Sequence, residues 1–136
     1  MANEVCIDGI WYVLNEETKE AMVTSSYNRR EEYRGRVIIP KVVVYEHKKY
    51  TVTSIENYTF SDCDSLTSIT IPESVMSIGN YAFINCCGLT TIIIPRSVKK
   101  IEDSAFSGCS GLTSIVVAEN NVTYDSRNDC NAIIET

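Results

Sequence analysis

The sequence predicts a solenoid of stacked 23-residue turns. It has a short parallel β-sheet on one face, short turns or 3₁₀ segments on the other, and an N-terminal β-hairpin cap. Three observations carry this reading. Apolar residues recur every 23 positions through the second half of the chain. Inside each repeat a short stretch alternates apolar and polar residues and then stops, twice at proline, as a strand does. The N-terminal segment is rich in strand-forming residues but does not share the period.

Residues 1–36 are read as the cap and its linker. Ile10-Trp11-Tyr12-Val13-Leu14 favours a strand, Asn15 to Lys19 is a polar turn, and Ala21-Met22-Val23-Thr24 returns as a second strand. A hairpin here covers the apolar end of the stack, which would otherwise be an adhesive open edge. Trp11 and Tyr12 fall on opposite faces of one strand, so one packs on the first turn and the other is a candidate contact residue. The mixed-charge run from Arg29 to Arg36 is read as a solvated loop joining the cap to the first repeat, with its arginines as candidate docking groups.

Residues 37–123 form the solenoid. Val37-Ile38-Ile39-Pro40 is a repeat-like strand. Twelve positions separate Pro40 from Val52, against three from Pro72 to Val75, so nine residues are inserted. The insert, residues 42–51, is expected to project as a hairpin with His47 in its charged turn. From Val52 the phases are strict: Val52, Val75 and Val98; Ile55, Ile78 and Ile101; Phe60, Phe83 and Phe106; Cys63, Cys86 and Cys109; Leu66, Leu89 and Leu112; Ile69, Ile92 and Ile115. A unit this short cannot bury its own apolar face, and stacking sets like on like in one continuous core. The segment around Tyr81-Ala82-Phe83 crosses the opposite side as a helical or 3₁₀ turn. Residues 124–136 are a tail or the start of a next module, with a turn at Asn128 to Asn131 and a short strand at Ala132 to Ile134. A strand at that position leads us to expect a fragment, or the first module of a longer protein.

The pattern Leu66-x-x-Ile69-x-Ile71-Pro72-x-x-Val75-x-x-Ile78-Gly79-x-x-Ala82-Phe83-x-x-Cys86 resembles the BspA-like leucine-rich repeat, a 23-residue class. The likeness implies a leucine-rich-repeat solenoid of the kind carried by Bacteroides-type surface proteins. It implies a cell-surface or secreted location, a role in adhesion or protein–protein recognition, and no catalytic residues. Ala118 departs from the proline usual at that place, and Cys87 adds a second cysteine beside Cys86.

Composition narrows the function classes. Formal net charge is −6. Residues 1–54 hold eight acidic and eight basic side chains, and residues 55–136 hold ten and four. Nucleic acid, which needs a basic footprint, is not an expected partner. No stretch approaches the roughly 18 apolar residues of a membrane span. The acidic start, Met1 to Cys6, does not read as a leader.

No metal site or cofactor is expected. His47 is the single histidine, and the cysteines recur at repeat spacing rather than in the close pairs that bind zinc. Parallel Cβ vectors leave Cys63, Cys86 and Cys109 as reduced, buried core thiols. Carboxylate pairs such as Glu102-Asp103, and Asp62 with Asp64, lie at outward positions with no sign of the cleft a glycosidase needs. Asn57-Tyr58-Thr59 and Asn121-Val122-Thr123 match the glycosylation pattern but read as coincidences of composition.

The candidate binding face follows from the alternation. Leu66, Ile69 and Ile71 point inward, so Thr67, Ser68 and Thr70 point outward. The next turns add Thr90, Thr91 and Ile93, then Thr113, Ser114 and Val116. Stacking aligns them into uncharged rows of hydroxyls and methyls. A protein partner on host matrix or a cell surface suits such a face better than a glycan, because no aromatic platform lines it. The alternatives are a structural spacer unit of a larger surface protein with no ligand of its own, and an unrecognised hydrolase. Selective capture of a partner separates recognition from spacing, and a pocket with perturbed titratable groups would mark an enzyme.

Overall fold

The computed structural model describes residues 3–25, 33–102 and 104–118, together with residues 124–125 and 134–135. The turn at Asn128 to Asn131, the motif at Asn121 to Thr123, Arg29 to Glu32 and Cys130 lie outside the described residues.

The chain begins as an antiparallel meander of three strands, β1 (Asn3–Ile7), β2 (Ile10–Asn15) and β3 (Glu20–Thr24). The sequence reading has only the second and third. The first is added by the Asp8-Gly9 loop, whose residues both have left-handed φ, 50° and 85°. A two-residue loop of that hand matches the twist of the strands it joins and sets Ile7 opposite Ile10. Ile10, Tyr12, Leu14, Ala21 and Val23 are buried on one face of this meander.

β4 (Gly35–Ile38) follows, then the hairpin of β5 (Val42–Tyr45) and β6 (Lys48–Ile55), antiparallel with Val43 opposite Tyr50. Glu46 and His47 make its two-residue turn, again with positive φ, and His47 is exposed there. β3 joins the far end of β6 in parallel, from Glu20 beside Thr51 to Val23 beside Ile55. The meander thus extends the sheet at its N-terminal side.

Beyond this point each turn contributes to two parallel stacks. On one side lie β4, β7 (Leu66–Thr70), β9 (Thr91–Ile94) and β11 (Ser114–Val117). β4 pairs with β7 and β9 with β11, and the ladder is interrupted between β7 and β9. On the other side, after the prolines, β6, β8 (Ser77–Ile78) and β10 (Lys100–Ile101) pair in parallel. The sequence reading has a single strand face. The second arises because Ile55, Ile78 and Ile101 are each flanked by backbone extended enough to pair. β12 (Tyr124–Asp125) and β13 (Ile134–Glu135) pair antiparallel.

The third side of each turn is a run of tight turns, not a helix. Tyr58 and Asp62, Tyr81 and Asn85, and Ser104 and Gly108 all have left-handed φ. Such residues four apart break any run of right-handed helical backbone. Bonds of the 1→4 kind close each turn, as from Ser61 N–H to Tyr58 C=O. Others bridge neighbouring turns, as from Phe60 N–H to Ala82 C=O and from Phe83 N–H to Ala105 C=O.

The core lies inside the three sides. Val52, Val75, Val98, Phe60, Phe83, Leu66 and Leu89 are fully buried. The phenylalanines form a ladder, with ring centroids 5.0 and 5.2 Å apart and rings tilted by 10°. Cys63 and Cys86 are buried and Cys109 partly so. The Cys86 thiol donates to Phe60 C=O and the Cys109 thiol to Phe83 C=O, both at 3.0 Å. Contact with the Cys109 thiol, together with burial, pushes the Cys86 thiol well above its ordinary pKa. Phe106, Leu112 and Ile115 are only partly buried.

Tyr33 ties the meander to the first turn. Its hydroxyl donates to Thr24 C=O at 2.7 Å and accepts from Trp11 N–H at 3.0 Å, and its ring lies 4.8 Å from that of Phe60. The Tyr12 hydroxyl, also buried, has no hydrogen-bond partner among the described residues. Tyr33→Phe should therefore lower stability by about 1–2 kcal/mol, whereas Tyr12→Phe should be neutral or stabilising. Urea unfolding of the two variants checks this, and equal losses would refute it. Burial also pushes the Tyr33 pKa up to about 12. The stability held by its neutral form is complete below pH 10 and falls as pH rises from 10 toward 12.

Candidate binding surface

The outward positions are built by strand alternation. In β7, Leu66 and Ile69 are buried while Thr67 and Thr70 are exposed and Ser68 is half-buried. In the next turn Ile92 and Ile94 are buried, and Thr90, Thr91 and Ile93 are exposed. In β11 and just before it, Thr113 and Val116 are exposed and Ser114 is half-buried. Ile93 is 58% exposed and Val116 43%. These two are unusual for their size and sit side by side, since Val116 pairs with Ile93 and Ser114 with Thr91. The Thr113 hydroxyl donates to Thr90 C=O at 3.2 Å, so that part of the row also braces the turns.

Two residues belong with these rows and are not in the sequence-derived set. Arg36 pairs with Ser68 and Ile38 with Thr70. Arg36 is exposed and Ile38 is 61% exposed. The rows therefore begin with an arginine and an isoleucine. The insert hides this in the sequence, because Arg36 and Ile38 sit 32 residues before their partners instead of 23.

An aromatic pair does exist, but on the side of tight turns. Tyr58 and Tyr81 stack with centroids 5.2 Å apart and planes 15° apart, and Tyr58 is 52% exposed. Around them, Asn80 N–H donates to Asn57 Oδ1 and Asn85 donates to Asp62, both across neighbouring turns. The third turn carries Ser104 at this phase. Trp11 is half-buried and Tyr12 fully buried, so Tyr12 is the packing member of that pair.

Surface charge contributes little to shape. Glu73 and Arg96, one repeat apart, approach to 3.6 Å with both side chains mostly exposed, a geometry of small energetic worth. Among the described residues no three His, Cys, Asp or Glu side chains converge as a metal cluster would require. No described helix is long and apolar enough to cross a membrane.

Comparison with known proteins bears on the whole arrangement. A crystal structure of a leucine-rich repeat protein from Bacteroides ovatus is similar to this chain at 40% identity and a TM-score of 0.73, over 82% of this chain. The chain spans 29% of that protein's length. A leucine-rich repeat protein from Bacteroides capillosus is similar at 22% identity and a TM-score of 0.61, over 85% of this chain and 98% of that one. No curated protein matches the chain. The family model described as the BspA type leucine-rich repeat region matches residues 46–132 in six copies. The 23-residue phases, the ladders they build and these likenesses agree: the chain belongs to the BspA-type leucine-rich repeat family.

Proposed function

We propose that the chain is a non-enzymatic recognition module of a bacterial cell surface or secreted protein, and that it binds a protein partner through the outward rows of its strand face. The observation that carries this reading is the exposed pair Ile93 and Val116 set among Thr67, Thr70, Thr90, Thr91 and Thr113, a platform with no charge between Thr67 and Val116. Two large β-branched residues at adjacent rungs cost solubility and add nothing to the core, whereas a partner that buries them gains from their area. The hydroxyls around them supply the polar rim such interfaces use. Repeat folds commonly bind along a regular face of this kind. The meander of β1 to β3 serves in this reading as the N-terminal cap, and the hairpin at 42–51 as an insert on a solenoid.

The test is a triple variant, Thr91→Lys, Ile93→Lys and Val116→Glu, assayed for capture of purified host extracellular-matrix proteins and of the producing cell's own surface proteins. The native chain should retain a partner selectively, and the folded variant should lose at least about 90% of that capture, as removal of a central apolar anchor does. Capture of no partner by the native chain, with its circular dichroism intact, would favour a spacer role.

A further inference from the structure

Among the described residues the strand stack that carries the rows ends at β4, and one edge of β4 has no strand beside it. Gly35 N–H donates to Ser65 C=O and Ile39 N–H to Thr70 C=O, so the alternate residues face β7. Arg36 and Ile38 lie between them, and their backbone groups point away from β7, where no strand among the described residues pairs with β4. Proteins normally cover such an edge. Here a groove runs beside it, with the β1–β2 turn as the far wall.

The groove has two compartments that share Asp8, Ile10 and Ile38. One, of about 450 Å³, is walled by Ile7, Ile10, Tyr12, Pro40, Val42 and Val44. Val42 and Val44 are 43% and 56% exposed, and the buried Tyr12 hydroxyl has no partner among the described residues. The other, of about 280 Å³, is polar, with Trp11, Tyr33, Arg34 and Arg36 on its walls. An open strand edge supplies main-chain donors and acceptors, and one apolar and one polar compartment at its flank supply side-chain selectivity. Together these are the parts of recognition by strand addition.

We propose that this groove binds an extended segment of a partner protein, which adds as a strand to the Arg36–Ile38 edge of β4. Alternate apolar side chains of the segment enter the compartment lined by Val42 and Val44. An acidic residue at one end meets Arg34 and Arg36. Asp8, common to both compartments, disfavours a second acidic residue in the middle of the segment. The charge pattern therefore selects an acid at one terminus only. This site lies at the β4 end of the stack that carries the rows, away from the pair Ile93 and Val116, and its occupancy does not depend on theirs.

Trp11 is the only tryptophan of the chain and lines the polar compartment, so its emission reports binding directly. The probe is a capped hexapeptide of alternating valine and threonine with a terminal aspartate, titrated into the full chain. Three comparison peptides carry a terminal lysine instead, or N-methyl groups on one or the other set of alternate amides. The aspartate peptide should give a saturable change in emission. One N-methylated register should bind at least about tenfold more weakly and the other nearly as well as the parent, because only one set of amides faces β4. Arg36→Glu should reverse the preference between aspartate and lysine peptides at low salt. Ile38→Pro removes an outward N–H together with a side chain that both compartments share, so Ile38→Ala is its control. The proline variant should bind the parent peptide at least about tenfold more weakly than the alanine variant while its melting temperature stays near native. The Thr91, Ile93 and Val116 triple variant should bind the peptide as the native chain does. No saturable response at millimolar peptide, or equal affinity for both N-methylated registers, would overturn the proposal.

Discussion

Phe83→Ala should destabilise the protein by about 3–5 kcal/mol, the largest loss we expect from any single core truncation. Phe83 is fully buried and is the middle rung of the ring ladder, with Phe60 on one side at 5.0 Å and Phe106 on the other at 5.2 Å. Its loss removes stacking on both faces. The backbone cannot collapse into the gap, because the Phe83 N–H and C=O are themselves engaged with neighbouring turns, by Ala105 C=O and the Cys109 thiol. Phe106→Ala, at a half-exposed end rung, should cost markedly less. Urea unfolding of the two variants, followed by circular dichroism, makes the comparison. A loss below about 1 kcal/mol at Phe83 would contradict the ladder.

Gly88→Ala should cost about 1–3 kcal/mol through overpacking against backbone, and more than most surface substitutions. A Cβ at Gly88 would stand 2.5 Å from Asp64 C=O and 3.1 Å from Leu66 C=O of the preceding turn. Neither oxygen belongs to a flexible side chain, so the turns themselves would have to separate. Gly111 stands against Cys87 C=O in the same way one repeat later. Ser65, one repeat earlier, is exposed and meets the start of β4 rather than a regular turn. Ser65→Ala is the matched control and should be close to neutral. Thermal unfolding of the three variants decides it, and a neutral Gly88→Ala would mean that the turns are less tightly apposed than this.

The repeating part of the fold was legible because a 23-residue period ties identity to burial. Phe60, Phe83, Leu66 and Leu89 sit inside because each has its own kind above or below it. The rest was less legible for separate reasons. The Asp8-Gly9 pair is a strong hairpin signal with alternating residues on either side, and giving it weight would have found β1. The turns at Tyr58 and Tyr81 were hidden, because tyrosine is not a residue that announces left-handed backbone. Asp62, Asn85 and Gly108, at 23-residue spacing, do carry such a signal. Of the candidate surface, Ser68, Thr70, Thr91, Ile93, Ser114 and Val116 follow from alternation, and Thr67, Thr90 and Thr113 from the polar position that precedes it in each repeat. Arg36 and Ile38 do not, because their alignment with Ser68 and Thr70 passes through the insert. The groove beside β4 has no local signature at all, since residues 7 to 10 reach it only through the meander's path.

The bonds between turns have a consequence for how such a gene can change. Phe60 N–H reaches Ala82 C=O, and Phe83 N–H reaches Ala105 C=O, by the same geometry. A recombination event that duplicates 23 codons in frame therefore inserts a rung that finds compatible neighbours on both sides. Length becomes a heritable variable largely decoupled from foldability, because each unit answers only to the next. Every such duplication would extend the outward rows by about 4.8 Å and one more set of three side chains, while leaving the β4 edge and its groove at a fixed terminus.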